Sequence, residues 1–111
     1  MIRHARPSDY RRIYDQDPPV SWYGMTDGTS IGFLSHDDWG RAWAFLSICG
    51  PFSAVGLHRT AKRFFEVVRQ TGEPEVLAYC APNETARRWL TRLGFEKHDE
   101  DEVGEIWRWQ G

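Results

Sequence analysis

The 111-residue chain is long enough for one domain and one core, and its 41% hydrophobic and 27% charged residues are an ordinary globular balance. A formal net charge of −2 gives no global basic field, which argues against a nucleic-acid or membrane-surface protein. No apolar run approaches the roughly 18 residues of a membrane span, and the opening MIRHARPSDY lacks a signal-peptide apolar region, so no membrane partner and a cytoplasmic location are expected.

IRHA reads as a short opening strand. PSDYRRIY follows as a short helix, with Ser8 or Asp9 as start signals and Tyr10, Ile13 and Tyr14 on one face. DQDPPV breaks it, because two prolines cannot continue a helix. From Val20 to Cys49 the pattern is an antiparallel meander: VSWYGMT, a DGT hairpin turn, SIGFLSH, a DDWG turn, then RAWAFLSIC. In that third strand Ala42, Ala44, Leu46 and Ile48 alternate against Trp43, Phe45, Ser47 and Cys49. Gly50 and Pro51 end it, and Gly56 opens a helix that runs to about Gln70. Leu57, Ala61, Phe64, Phe65 and Val68 give that helix a broad apolar stripe, with Arg59, Lys62, Arg63, Glu66 and Arg69 opposite. EVLAYC is the next strand.

NETARRWLTRLGF reads as a helix with a cap at each end. Asn83 caps its N-terminus, and Glu84 puts a negative charge in the first turn, where the helix dipole favours it. Ala86, Trp89, Leu90 and Leu93 recur at helical spacing, and Gly94 stands where a left-handed exit is expected. A helix this short must dock on a sheet. EKHDEDEVGEIWRWQ closes the chain as a hairpin, with Asp99 to Glu102 read as a solvated turn. No metal-ligand spacing occurs, so no metal is expected, and Cys49 and Cys80 are expected to be reduced thiols.

The opening IRHARPSDY, the long helix after SAVG and above all NETARRWLTRLGF resemble the GNAT N-acetyltransferase superfamily. Leu77, Tyr79, Asn83, Ala86, Trp89, Leu93, Gly94 and Phe95 fall on its pattern without a gap. The resemblance covers nearly the whole chain as a single domain, residues 1–111. It implies a compact α/β fold: a mixed, mostly antiparallel sheet, about three helices and central parallel strands that splay apart. The small size and RRWLTRLGF also resemble short GNAT-like proteins encoded by tailed bacteriophages, for which the location would be the host cytoplasm. The family implies acetyl-coenzyme A held between AWAFLSIC and EVLAYC. Its expected binding residues are Ser47, Ile48 and Cys49 on the first strand, Ser53, Ala54, Val55, Gly56 and Leu57 at the helix start, and Asn83. Parted strands expose unpaired backbone groups that a pantetheine arm's amides can meet. The helix start supplies N–H groups and a favourable dipole for pyrophosphate.

This sequence also departs from the family. The family's phosphate loop reads Arg or Gln, two residues, Gly, one residue, Gly or Ala, and the same frame here runs from Pro51 through Ala54 to Gly56. Arg59, Lys62 or Arg63 are further phosphate candidates. Leu90 stands where many members carry a tyrosine acid, and leucine holds no proton to give. Tyr79 is the candidate replacement, and Asp37 and Asp38, after His36, are the carboxylates that reach towards a substrate. DQDPPV has no room for the family's second helix, so the acceptor side is expected to be open, built by a partner subunit in a homodimer, or absent. Trp22, Trp39 and Trp43 are either a substrate wall or core.

Two functions follow as expectations. The first is an acetyl-CoA-dependent N-acyltransferase acting on an amine of a protein or small molecule. The second is a catalytically degenerate GNAT-fold binding module, for instance a phage protein that docks on a host enzyme. Nucleic acid is a poor third partner on charge.

Overall fold

The computed structural model describes residues 2–19, 22–48 and 54–110. Strand β1 (Arg3–His4) leads into helix α1 (Pro7–Tyr14). Pro7 suits the first helical position, where its missing N–H would have no partner in any case. The helix therefore starts ahead of Ser8 and Asp9, with Arg6 as the cap residue. Asp9 acts from inside the first turn: it accepts the Arg6 N–H at 2.8 Å and, on its two oxygens, Nη1 and Nη2 of Arg3, each at 2.8 Å. The Arg3 hydrogen bonds hold the buried Asp9 carboxyl down at about 2.

Strands β2 (Trp22–Thr26), β3 (Ser30–His36) and β4 (Ala42–Ile48) form the expected antiparallel meander. Asp27 organises the first turn. Its Oδ1 accepts the Thr29 and Ser30 N–H groups at 2.9 and 2.8 Å. Its Oδ2 accepts the buried Thr60 hydroxyl at 2.8 Å, which pins the turn to helix α2 (Ala54–Gln70). Burial pushes the Asp27 carboxyl up, but these donors outweigh it and leave the group below the usual carboxylate range. Helix α2 ends where expected and begins earlier than Gly56. Alanine at position 54 is a strong helix former, so Gly56 falls within the first turn.

Strand β5 (Glu75–Cys80), helix α3 (Glu84–Arg92) and the hairpin β6 (Phe95–Glu100) and β7 (Glu105–Gln110) complete the chain. The strand order is β1-β2-β3-β4-β5-β7-β6, and β4–β5 is its parallel pair. The last strand sits between β5 and β6, so the closing hairpin enters the sheet by its second arm. The register slips between Lys97 and Asp99.

Alternation along the strands divides the sheet into two faces. On one, α2 lays Phe64 and Val68 onto Met25, Leu34, Val76, Ala78, Phe95, Trp107 and Trp109. Burying a side chain such as Phe64 contributes about 2–3 kcal/mol. On the other, α1 covers the meander with an aromatic cluster in which Tyr10 meets Tyr14, Trp22 and Phe33 at 4.5, 5.6 and 5.1 Å between ring centroids. Trp22 is thus a half-buried member of this cluster. Residues 15–19, the described part of the gap after α1, hold no helix. Among the described residues no helix is long and apolar enough to cross a membrane.

Candidate functional site

β4 and β5 touch through one backbone pairing, Trp43 with Leu77, near the start of each strand. Beyond it they part. Over its whole length β4 keeps its outer ladder with β3, and β5 keeps its own with β7. The facing edges, Ala44 onward and Ala78 onward, are left without strand partners. Between them and the helices lies a cleft of about 180 Å³. Ala44, Ala78, Ala81 and Ala86 keep it open, while Phe64, Leu90 and Leu93 make it apolar. Ala86 and Trp89 of α3 also line an adjoining groove of about 510 Å³ between α2 and α3.

The residues expected to hold a cofactor are distributed around these two spaces. Ala54, Leu57 and Asn83 line the groove. Gly56 lies in the same turn of α2, with its carbonyl accepting the Thr60 hydroxyl at 3.1 Å. Val55 is 62% exposed and is absent from the groove's lining. Ser47 turns its hydroxyl to the Tyr14 hydroxyl on the α1 face, so only its backbone is available on the strand. Ile48 is the last residue of β4, paired with Ser30. Cys49 and Ser53, like Gly50 and Pro51, lie outside the described residues. Asn83 accepts the Ala86 N–H at 2.8 Å through Oδ1, as a cap should, and its side-chain amide donors have no protein partner among the described residues. Two side-chain contacts that the sequence does not announce join α3 to its surroundings. Trp89 Nε1 donates to His58 Nδ1 at 3.1 Å, across to α2. Arg87 clamps Glu105 of β7 at 2.6 Å.

Two of the candidate catalytic residues, Tyr79 and Asp37, meet at Trp43 on the α1 side of the sheet, and Tyr79 also lines the cleft. The Trp43 indole stacks on Tyr79, with centroids 5.0 Å apart and planes at 22°. Its Nε1 donates to Asp37 Oδ2 at 3.0 Å. Asp37 also accepts the Trp39 and Arg41 N–H groups at 2.9 Å and Arg41 Nε at 2.7 Å. Desolvation raises the Asp37 carboxyl, but the Trp43, Arg41 and Trp39 donors prevail and bring it to about 2. It is an ionised carboxylate whose lone pairs hold the β3–β4 turn. Asp38, beside it, is exposed. His36 pairs with Glu73 at 2.7 Å. The Tyr79 hydroxyl donates to Asp101 Oδ2 at 2.7 Å, and that bond, followed by desolvation, raises the phenol above its ordinary value.

The acidic run is thus more than a solvated turn. Asp99 and Glu100 belong to β6, and Asp101 accepts the Val103 and Gly104 N–H groups at 2.9 and 3.1 Å while holding Tyr79. Asp followed by Gly three residues later was the available turn signal. Trp39 is 80% exposed, so the three meander tryptophans divide into a half-buried member of the α1 cluster (Trp22), a hub (Trp43) and a surface residue (Trp39). Cys80 is a buried free thiol that donates to the Ala81 carbonyl at 3.3 Å.

No protein-family model matches this sequence, and no curated protein sequence matches it. Among solved structures, a Bordetella pertussis protein described as "Putative GnaT-family acetyltransferase" matches with a TM-score of 0.59. The match covers 93% of this chain and 70% of that one at 12% sequence identity. Likeness at that identity is likeness of fold, and the chain accordingly has a GNAT-like α/β fold, with three helices among the described residues on a seven-stranded mixed sheet that parts between its parallel strands.

Proposed function

We propose that the chain is an acetyl-CoA-dependent N-acyltransferase whose acceptor is an amine of a protein or small molecule. The observation that carries this reading is the parting of β4 and β5 beyond Trp43 and Leu77. Alternate residues on each facing edge direct N–H and C=O groups into the gap, and a slim amide-bearing arm can satisfy them as an added strand would. The 180 Å³ cleft fits an acyl end and the start of such an arm, and the 510 Å³ groove fits the bulk that follows. When bound, the cofactor's thioester supplies an acyl group activated towards amines.

The chain's own residues orient and shield. Edge N–H groups of β4 polarise the acyl carbonyl, an oxyanion-type contribution. Ala44, Ala78 and Leu90 exclude water. Trp43 and Tyr79 floor the open face from which an amine arrives. Tyr79 holds a proton at Oη, with Asp101 Oδ2 as its partner. Leu90 can hold none. A thiolate leaving group, of ordinary pKa about 8.5, asks less of an acid than an alkoxide does. The uncovered acceptor side leaves room for a large acceptor or for a second subunit.

Ligand-dependent melting tests this first, since it reads binding without turnover. A ligand that binds only the folded state stabilises by about 2.7 kcal/mol at a hundredfold excess over Kd. For a domain of this size that raises the melting midpoint by about 10–20 °C. The expected result is such a rise with acetyl-CoA and none with a nucleotide of similar charge, followed by free thiol release when amines are added. No rise at millimolar ligand in a folded protein overturns the acyltransferase and leaves the binding module, a fold kept as a docking surface.

A further inference from the structure

The groove between α2 and α3 differs in kind from the apolar cleft it adjoins. Thr85, Arg88 and Arg92 follow one another at three- and four-residue steps along a flank of α3, a polar stripe about 10 Å long. Charge along this flank is unbalanced. Arg87 is closed by Glu105 at 2.6 Å, but Arg88 reaches Glu84 only at 3.5 Å with both side chains largely exposed. Arg92 meets no carboxylate among the described residues. It also borders a second hollow against α2, where Lys62 and Arg69 add positive charge and the carboxylate, Glu66, is taken by Arg63 at 3.0 Å. A guanidinium fork without a carboxylate, at the rim of a groove, matches a phosphate in charge and geometry. The sequence supplies an independent reason for placing one there. Pro51 stands where the resembling loop carries Arg or Gln, and proline brings neither a side-chain donor nor an N–H to that position of the sequence.

On the acyltransferase reading above, we propose that the α3 flank binds the 3′-phosphate monoester of the coenzyme A ribose. Arg92 is its principal partner and Arg88 its second. Phosphate recognition thereby rests on α3 in place of the altered loop. A monoester carries nearly two negative charges at neutral pH and three acceptor oxygens, enough to engage two guanidinium groups.

Isothermal titration with coenzyme A and with 3′-dephospho-coenzyme A, at one ionic strength, separates this from general anion attraction. The wild type is expected to bind coenzyme A at least about tenfold more tightly than the dephospho form, as a charge-assisted hydrogen bond warrants. Arg92→Gln, with its melting temperature checked, should remove most of that preference while leaving dephospho-coenzyme A within about twofold. Arg88→Gln should remove less. Equal wild-type affinity for the two ligands overturns the proposal and leaves the acyltransferase standing, and this comparison requires no variant. Parallel weakening of both ligands by Arg92→Gln overturns it too. Binding of neither ligand by the wild type overturns the acyltransferase reading and this one with it.

Discussion

Glu105 is a buried carboxylate on β7 that accepts from Arg87 at 2.6 Å and from the Trp107 indole at 3.0 Å. The Arg87 hydrogen bond, then that of Trp107, brings its pKa from an ordinary 4.5 to about 2. Asp9 is held from 3.8 to about 2 by Arg3. Both folded values lie below the unfolded ones. Their contributions are therefore complete above about pH 4.5 and are lost as pH falls towards 2. Melting temperatures measured from pH 6 down to 2 should fall through that window. Glu105→Gln should melt lower at pH 6 and show a shallower fall, because one of the acid-linked carboxylates, which include Asp27 and Asp37, is gone. Little of this is legible in the sequence, because a carboxylate's burial depends on neighbours far along the chain. Asp37 shows the same limit. Its position at the end of a strand marks it as a candidate base, but only the fold shows four donors on its two oxygens.

Helix α3 is the element most legible in advance. Asn83 at the cap, Glu84 in the first turn and the apolar face of Ala86, Trp89, Leu90 and Leu93 all follow from local chemistry, and Gly94 leaves at φ 98° as expected. A nine-residue helix is marginal alone, so its cap matters. Asn83→Ala should cost about 1 kcal/mol, seen as a melting temperature lowered by roughly 4–8 °C. A loss inside measurement error would mean that tertiary clamps alone hold this end. Those clamps, Trp89 to His58 and Arg87 to Glu105, span 31 and 18 positions, and no local pattern announces them. The start of α2 lies ahead of Gly56 for a related reason. A glycine reads locally as a boundary, yet one glycine within a helix costs only about 1 kcal/mol, which a broad apolar stripe readily offsets.

At the scale of the whole molecule, the fold class and the parallel pair could be anticipated from element order and the resemblance, but the placing of β7 between β5 and β6 could not. Periodicity says that a strand exists and which face it buries. It is silent on which strand lies beside it. The outer edges are also settled only in three dimensions. β1 has two residues, and β6 presents charged side chains over a slipped register, two ways of discouraging a further strand.

The single pairing between Trp43 and Leu77 divides the sheet into two blocks, each contiguous in sequence, one ending at Ile48 and the other beginning with α2. Helix α2 bridges them through Phe64 and through Thr60, which holds the Asp27 turn. Such a seam makes each block a natural unit of partial opening. Native-state hydrogen exchange should therefore find the amides along the facing edges of β4 and β5 exchanging well ahead of those in the β3–β4 and β5–β7 ladders. If all four sets exchange together, the seam is no weakness. A ligand lying in the gap would act as a staple across it, slowing those amides by the factor with which it binds and fusing two cooperative units into one.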